Sequence, residues 1–177
     1  MRHWNDILPT ARGYFTKRVC LFGPEATGKS TLATRLAAHF GTVEVQEYAR
    51  VLLAHKNGVC ERHDIPLIAR GQASAEDALA GLANRVLICD TDLLTTSLWS
   101  QTLFGDCPLW VSEEAERRRY DLYLLMDVDE PPGPGHRFYM PGDRKAQFEI
   151  FREALTSRDR GFVHLRGGLE ARFDAAR

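Results

Sequence analysis

The chain has 177 residues, 44% hydrophobic and 27% charged, the balance of one soluble globular domain with a substantial core. A formal charge of −1 argues against a general nucleic-acid binder, and no apolar run is long enough to span a bilayer. The four cysteines, Cys20, Cys60, Cys89 and Cys107, have neither CxxC nor Cys/His ligand spacing, so no zinc or disulfide framework is indicated and a reducing cytoplasm is the expected compartment.

The N-terminus lacks the apolar stretch of a signal peptide. Residues 18–22 are a short apolar run stopped by Gly23, the mark of a buried strand. Ser30 to Phe40 reads as a helix with Leu32, Leu36 and Phe40 on one face, followed by a strand at Thr42 to Val45 and helical spacing from Tyr48 to His55. Asp64 is an expected N-cap for a helix from Pro66 to Ala83. Residues 85–89 form a third strand, ended by Asp90-Thr91-Asp92, and Leu93 to Leu103 is helical. Ser112 is expected to cap a helix through Arg119, whose Arg117-Arg118-Arg119 run follows Glu113, Glu114 and Glu116 and reads as a solvated face. A fourth strand at Leu122 to Leu125 precedes a segment with Pro131, Pro132, Pro134, Gly133 and Gly135, which reads as a mobile loop. A helix from Arg144 to Ser157, a strand at Phe162 to Leu165 and a short terminal helix complete the chain. The alternation predicts an α/β fold with a five-stranded parallel sheet and helices on both faces.

Gly23-Pro24-Glu25-Ala26-Thr27-Gly28-Lys29-Ser30 fits G-x-x-x-x-G-K-[ST] without deviation, with a strand before it and a helix after it. Glycines let backbone N–H groups turn inward around a polyphosphate, and the helix N-terminus adds its positive dipole end. Lys29 would supply a mobile cation for the β- and γ-phosphates, and the Ser30 hydroxyl a ligand for magnesium. Gly23, Glu25, Ala26, Thr27, Gly28, Lys29, Ser30 and Thr31 are thus candidates to hold ATP-Mg²⁺ or another nucleoside triphosphate. Asp90, ending a hydrophobic strand, is the candidate second magnesium ligand. Asp92 can face the metal, face a substrate hydroxyl, or cap the next helix. Glu47 closes the second strand at the sheet edge where such folds bind ligands, with Arg50 one turn on as a pairing partner. The proline-rich segment, about 129–143, carries Arg137 and is followed by Arg144. Arginines beside a phosphate loop suggest a short lid that closes over the transferring phosphate.

These residues together resemble the ribosylnicotinamide kinase domain of the bifunctional NadR proteins, which also carry a nicotinamide-mononucleotide adenylyltransferase. The resemblance runs through residues 23–33, Val45-Gln46-Glu47-Tyr48-Ala49-Arg50, Ile68-Ala69-Arg70-Gly71-Gln72, Ala83-Asn84, residues 90–96 and Tyr120-Asp121-Leu122-Tyr123-Leu124-Leu125. Trp4, Ile7-Leu8-Pro9, Arg12, Tyr14-Phe15 and Lys17-Arg18 resemble the connector that precedes that kinase. The expected organisation is therefore a connector-like segment at 1–17 and a P-loop kinase domain at 18–177. With no room for an adenylyltransferase before Met1, the kinase is either standalone or excised.

The resemblance implies ATP-dependent phosphorylation of the 5′-hydroxyl of nicotinamide riboside, with ATP and Mg²⁺ required and a small nucleoside as partner. Lys29 and Arg137 would neutralise the phosphates, and Glu47, Asp90 or Asp92 would orient or deprotonate the hydroxyl. Glu47 is the favoured base, since Asp90 is better used on magnesium. The family's lid usually reads Asp-x-Pro-Trp, then Asp-Gly-x-Arg. Here Pro132 takes the tryptophan position and Pro134 that of the second aspartate, leaving Tyr139 or Trp110 as candidate replacements for the ring. Another nucleoside or small alcohol is the alternative acceptor, and a regulatory ATPase switching a protein partner is the alternative class.

Overall fold

The computed structural model describes residues 3–131 and 143–177. Five strands, β1 (Lys17–Phe22), β2 (Glu44–Val45), β3 (Val86–Asp90), β4 (Leu122–Met126) and β5 (Phe162–Leu165), form one parallel sheet in the order β2-β3-β1-β4-β5. After β1 the chain leaves to one side of the sheet and later returns to the other, so a crevice opens at the C-terminal end of the central strand.

The three central strands, β1, β3 and β4, are apolar on both faces over their buried lengths, as a sheet covered on both sides requires. Cys20, Phe22, Leu87, Cys89, Tyr123 and Leu125 face one core, and Leu21, Ile88, Leu124 and Met126 face the other. The first core is closed by α4 (Asp64–Ala80), α5 (Leu93–Phe104), α6 (Leu109–Arg117) and α7 (Arg144–Thr156). At its centre the fully buried Phe22 meets Tyr123 at 5.4 Å and Phe151 at 4.9 Å, both edge to face. The second core is closed by α2 (Lys29–Phe40) and α8 (Leu169–Ala176). Arg35 of α2 forks onto Glu170 of α8 and lies over Phe173.

Several boundaries differ from the sequence reading. The buried stripe of α2 is Leu32, Ala33, Leu36 and Ala37, while Phe40 is exposed past its end. Asp64 is the first residue of α4 rather than its cap, and its carboxylate accepts from the Glu61 N–H and from Lys56. The helix stops at Ala80 instead of running to Ala83. Ser112 caps nothing: α6 starts three residues earlier, after Pro108, and the Ser112 hydroxyl bonds back to the Leu109 carbonyl. Pro108 carries the extended backbone that admits the chain to that helix.

Residues ahead of β1 are folded too. Trp4 is buried beneath Arg12, and α1 (Pro9–Phe15) docks on α4, where the Thr16 hydroxyl reaches the Ala80 carbonyl at 3.0 Å. In the basic run, Arg117 is exposed and pairs with Glu114 on its own helix, but Arg118 is nearly buried. Together with Arg18 it encloses the buried Glu76 carboxylate, which Tyr120 also contacts at 2.8 Å. Opposite charges and hydrogen bonds on both oxygens are what let that carboxylate stay inside. Among the described residues no helix is long and apolar enough to cross a membrane.

Candidate active site

β1 delivers the chain into a tight turn. Gly23 has φ +136°, and a Cβ there would lie 2.9 Å from the Met126 carbonyl oxygen, so only glycine fits. Ala26 (φ +55°) and Gly28 (φ +83°) give the loop two further left-handed residues. Thr27 closes it from inside, its hydroxyl donating to the Pro24 carbonyl at 2.9 Å. Lys29 folds back over the loop, its ammonium donating to the carbonyls of Gly23 at 2.9 Å and Pro24 at 2.6 Å. Burial lowers the Lys29 pKa, and the nearby Glu47 and Asp90 carboxylates oppose that shift.

The parallel register sets Leu21 beside Asp90, two residues ahead of the loop. Asp90 is buried, and its Oδ2 accepts from the Ser30 hydroxyl at 2.5 Å. Its Oδ1 is buried without a hydrogen-bond partner. A bare carboxylate oxygen beside a serine hydroxyl is a donor set that suits a hard divalent cation such as magnesium. Asp92 points elsewhere. Its Oδ1 accepts from the Thr95 N–H at 2.8 Å and its Oδ2 from the Tyr123 hydroxyl at 2.9 Å, which is itself bonded by Arg160. Of the three roles open to Asp92 the structure shows the helix cap, with both oxygens hydrogen-bonded within the fold.

A cavity of about 500 Å³ extends from the loop. Its lining includes Glu25, Ala26, Thr27, Gly28, Lys29, Ser30 and Thr31, so each of these candidates faces it, whereas Gly23 serves through its carbonyl. Leu53 of α3 (Tyr48–His55), Ile65, Ile68 and Gln72 of α4 and Trp99 of α5 line it as well. Glu47 and Arg50 line the same cavity and pair at 2.9 Å. Burial raises the Glu47 pKa, against the attraction of Lys29, while Asp90 pushes it further up. The three groups thus share one electrostatic neighbourhood.

Trp99 was not singled out by the sequence reading, although Thr95, Thr96 and Trp99 follow Asp92 at helical spacing and face the cavity together. Trp110, considered as the replacement ring, instead packs under Arg70 at 4.9 Å. Arg137, Tyr139, Pro132, Pro134 and most of the expected lid lie outside the described residues. Arg144 is described: its guanidinium donates to the Glu130 carbonyl at 2.9 Å and lies 3.4 Å from the Ala26 carbonyl, against the phosphate loop.

Arg172 carried no sequence signal. It reaches in from α8, almost fully buried, and donates to the Thr27 carbonyl at 2.6 Å, the Asp127 carbonyl at 3.1 Å and Asp129 Oδ1 at 2.6 Å. One guanidinium therefore ties the phosphate loop to the end of β4. Burial pushes the Asp129 pKa up, but the Gly167 N–H and Arg172 outweigh it and hold the carboxyl below its ordinary range.

A family model described as an AAA domain matches residues 18–172. The trifunctional NAD biosynthesis/regulator protein NadR of Salmonella typhimurium is 31% identical over 179 residues, which span 98% of this chain and 43% of that protein. A crystal structure of NadR protein in complex with NR superposes with a TM-score of 0.78 at 26% identity, over 98% of this chain and 53% of the other. The chain thus spans about half the length of these relatives or less. A deoxyadenosine kinase from M. mycoides with bound dATP shares the fold, with a TM-score of 0.64 at 10% identity over 90% of this chain and 96% of the other.

Arg172→Ala removes three charge-assisted contacts and leaves two loop carbonyls without their donor. It is expected to lower stability by about 2–4 kcal/mol and, by loosening the loop, to weaken nucleotide binding. Thermal unfolding and nucleotide titration of the folded variant check both effects.

Proposed function

The chain belongs to the AAA domain family, and from that premise we propose that it is an ATP-dependent kinase transferring the γ-phosphoryl group to the 5′-hydroxyl of nicotinamide riboside, with nicotinamide mononucleotide and ADP as products. The observation that carries this reading is the cavity lining: phosphate-loop residues, the apolar Leu53, Ile65 and Ile68, the ring of Trp99 and the carboxylate of Glu47 all border one space. A switch ATPase needs the phosphate-loop lining alone. The likeness to NadR, over nearly the whole of this chain, supports nicotinamide riboside as the nucleoside.

The geometry supports a role for each residue. Backbone N–H groups of residues 25–30 hold the phosphates at the start of α2. Lys29 exchanges the Gly23 and Pro24 carbonyls for β- and γ-phosphate oxygens, so its ammonium is already aimed into the cradle. Ser30 Oγ and Asp90 Oδ1 are the atoms to hold magnesium, which when bound neutralises charge on the transferring group. Arg144 lies against the loop where it can meet phosphate oxygens. Trp99 and the aliphatic wall take the nucleoside, leaving its hydroxyl toward Glu47. Arg50 restrains the Glu47 carboxylate, which orients the hydroxyl and accepts its proton.

The direct test is ATP consumption with and without nicotinamide riboside, with product identified by mass. Strong stimulation with formation of the mononucleotide is expected. Equal ATP hydrolysis with and without any nucleoside would point to the switch ATPase instead. Asp90→Asn is expected to raise the magnesium concentration needed for half-maximal rate about tenfold or more, by loss of a charged ligand, with the fold unchanged by circular dichroism. The pH profile tests the base. A base must be deprotonated, and the Glu47 pKa is raised above the ordinary glutamate value of 4.5, so kcat/KM should rise with pH along a limb displaced upward from 4.5. Glu47→Gln should abolish that limb and slow turnover about 10- to 100-fold, a modest factor because phosphoryl transfer depends chiefly on positioning.

A further inference from the structure

Helix α3 begins at Tyr48, directly after Glu47. The first N–H groups of any helix have no partner within it, and Glu47 makes no side-chain cap. The Tyr48 N–H is nevertheless satisfied, from another element: Gln72 of α4, 2% exposed, accepts it through Oε1 at 3.0 Å. The other end of the same amide, Nε2, lies 3.5 Å from the carbonyl of Thr91. Thr91 is the left-handed residue (φ +69°) between Asp90 and Asp92. One side chain thus spans the gap between the segment that carries Glu47 and the segment that carries Asp90. A carboxamide suits this place because one end accepts while the other donates, whereas a carboxylate cannot donate and an ammonium cannot accept.

The neighbouring residue has a matching peculiarity. Gly71 sits in the middle of the 17-residue α4, where glycine is a poorer helix former than alanine. Its φ is not left-handed, so the backbone does not require glycine. The space does: a Cβ at Gly71 would overlap three atoms of the Tyr48 ring, which lies flat over the bare helix backbone. Gly71 and Gln72 therefore seat the two halves of one residue, the ring and the N–H of Tyr48.

We propose that Gly71 and Gln72 are positioning residues for phosphoryl transfer, a latch on α4 that holds the first turn of α3, and with it Glu47, at a fixed place relative to the Asp90–Thr91 corner. The latch rests on the kinase reading for its purpose, but not for its existence. It also explains why Glu-Tyr-Ala-Arg at 47–50 and Arg-Gly-Gln at 70–72 occur in one chain: the glycine and the glutamine serve the tyrosine.

The test uses the whole chain with Gln72→Met, Gly71→Ala, Tyr48→Ala and the double variant Gly71→Ala/Tyr48→Ala. Gln72→Met keeps side-chain length and loses the amide. Gly71→Ala is expected to push the ring off α4 and pull the Tyr48 N–H from Gln72. Each should lower kcat with nicotinamide riboside at least tenfold while leaving the KM for ATP within twofold, because the phosphate loop is untouched. Tyr48→Ala alone should cost less, since its backbone N–H still meets Gln72. The double variant should recover most of the kcat lost in Gly71→Ala, because the new methyl meets no ring. Amide hydrogen exchange at residue 48 reads the latch without any substrate: slow in the parent protein and the double variant, fast in Gln72→Met and Gly71→Ala. Unchanged exchange in Gln72→Met overturns the latch, and so does a kcat loss in Gly71→Ala that persists in the double variant. If the parent protein leaves nicotinamide riboside untouched, the kinase reading fails, and exchange at residue 48 alone decides whether the latch exists.

Discussion

Gly23 has no room for a side chain, and much of the molecule follows from that. The chain leaving the central strand must pass within contact of the Met126 carbonyl to turn back into α2. That passage fixes where the Gly23 and Pro24 carbonyls point, and those two oxygens hold the Lys29 ammonium. The same turn starts α2 in the register that brings Ser30 against Asp90. The sheet pairing supplies the other half, since Asp90 reaches Ser30 only because β3 lies alongside β1 with Leu21 opposite Asp90. A bare backbone at one residue and a strand register thus place lysine, hydroxyl and carboxylate together.

The site is preorganised rather than relaxed. Lys29, Glu47 and Asp90 sit in a partly dehydrated corner, where burial works against the charge on Lys29 and on Glu47. Both carboxylates stabilise the Lys29 ammonium, while Glu47 is drawn to Lys29 and repelled by Asp90, which keeps the corner responsive to an incoming polyanion. Bringing phosphate oxygens to Lys29 requires no new ordering of its chain, only an exchange of acceptors. The cost of fixing that long side chain has been met during folding. The apolar part of the lining is similarly prepared, because Trp99 stands on α5, whose first turn is pinned by Asp92 through Thr95 and Tyr123.

The phosphate loop, the five strands and the Asp90 position were legible in the sequence because each is carried by a local pattern: a motif of eight residues, runs of apolar residues, a carboxylate at a strand end. Helix starts were less so. Asp64 and Ser112 have the chemistry of caps, but each lies inside its helix and bonds nearby backbone instead, because the helix starts earlier than spacing reveals. Asp92 stayed open for the same kind of reason, since only the fold brings Tyr123 against its second oxygen. Arg172 was invisible: its partners are three-dimensional, and nothing near it in the sequence distinguishes it from a surface arginine. Gly71 and Gln72 could be read as part of a resemblance but not as physics, because their reason lies 24 residues away in Tyr48.

The reach of Arg172 has a consequence for how the protein is made. The phosphate loop is complete as sequence once Ser30 has been joined, and β1 is available soon after. Its anchor is a side chain synthesised 145 residues later than the Thr27 carbonyl it binds. A nascent chain on the ribosome therefore carries the loop without its tether, beside a sheet edge still waiting for β4 and β5. The loop gains this tether only once α8 has been made and docks, so a chain interrupted before α8 keeps the whole motif but lacks the part that holds it in shape.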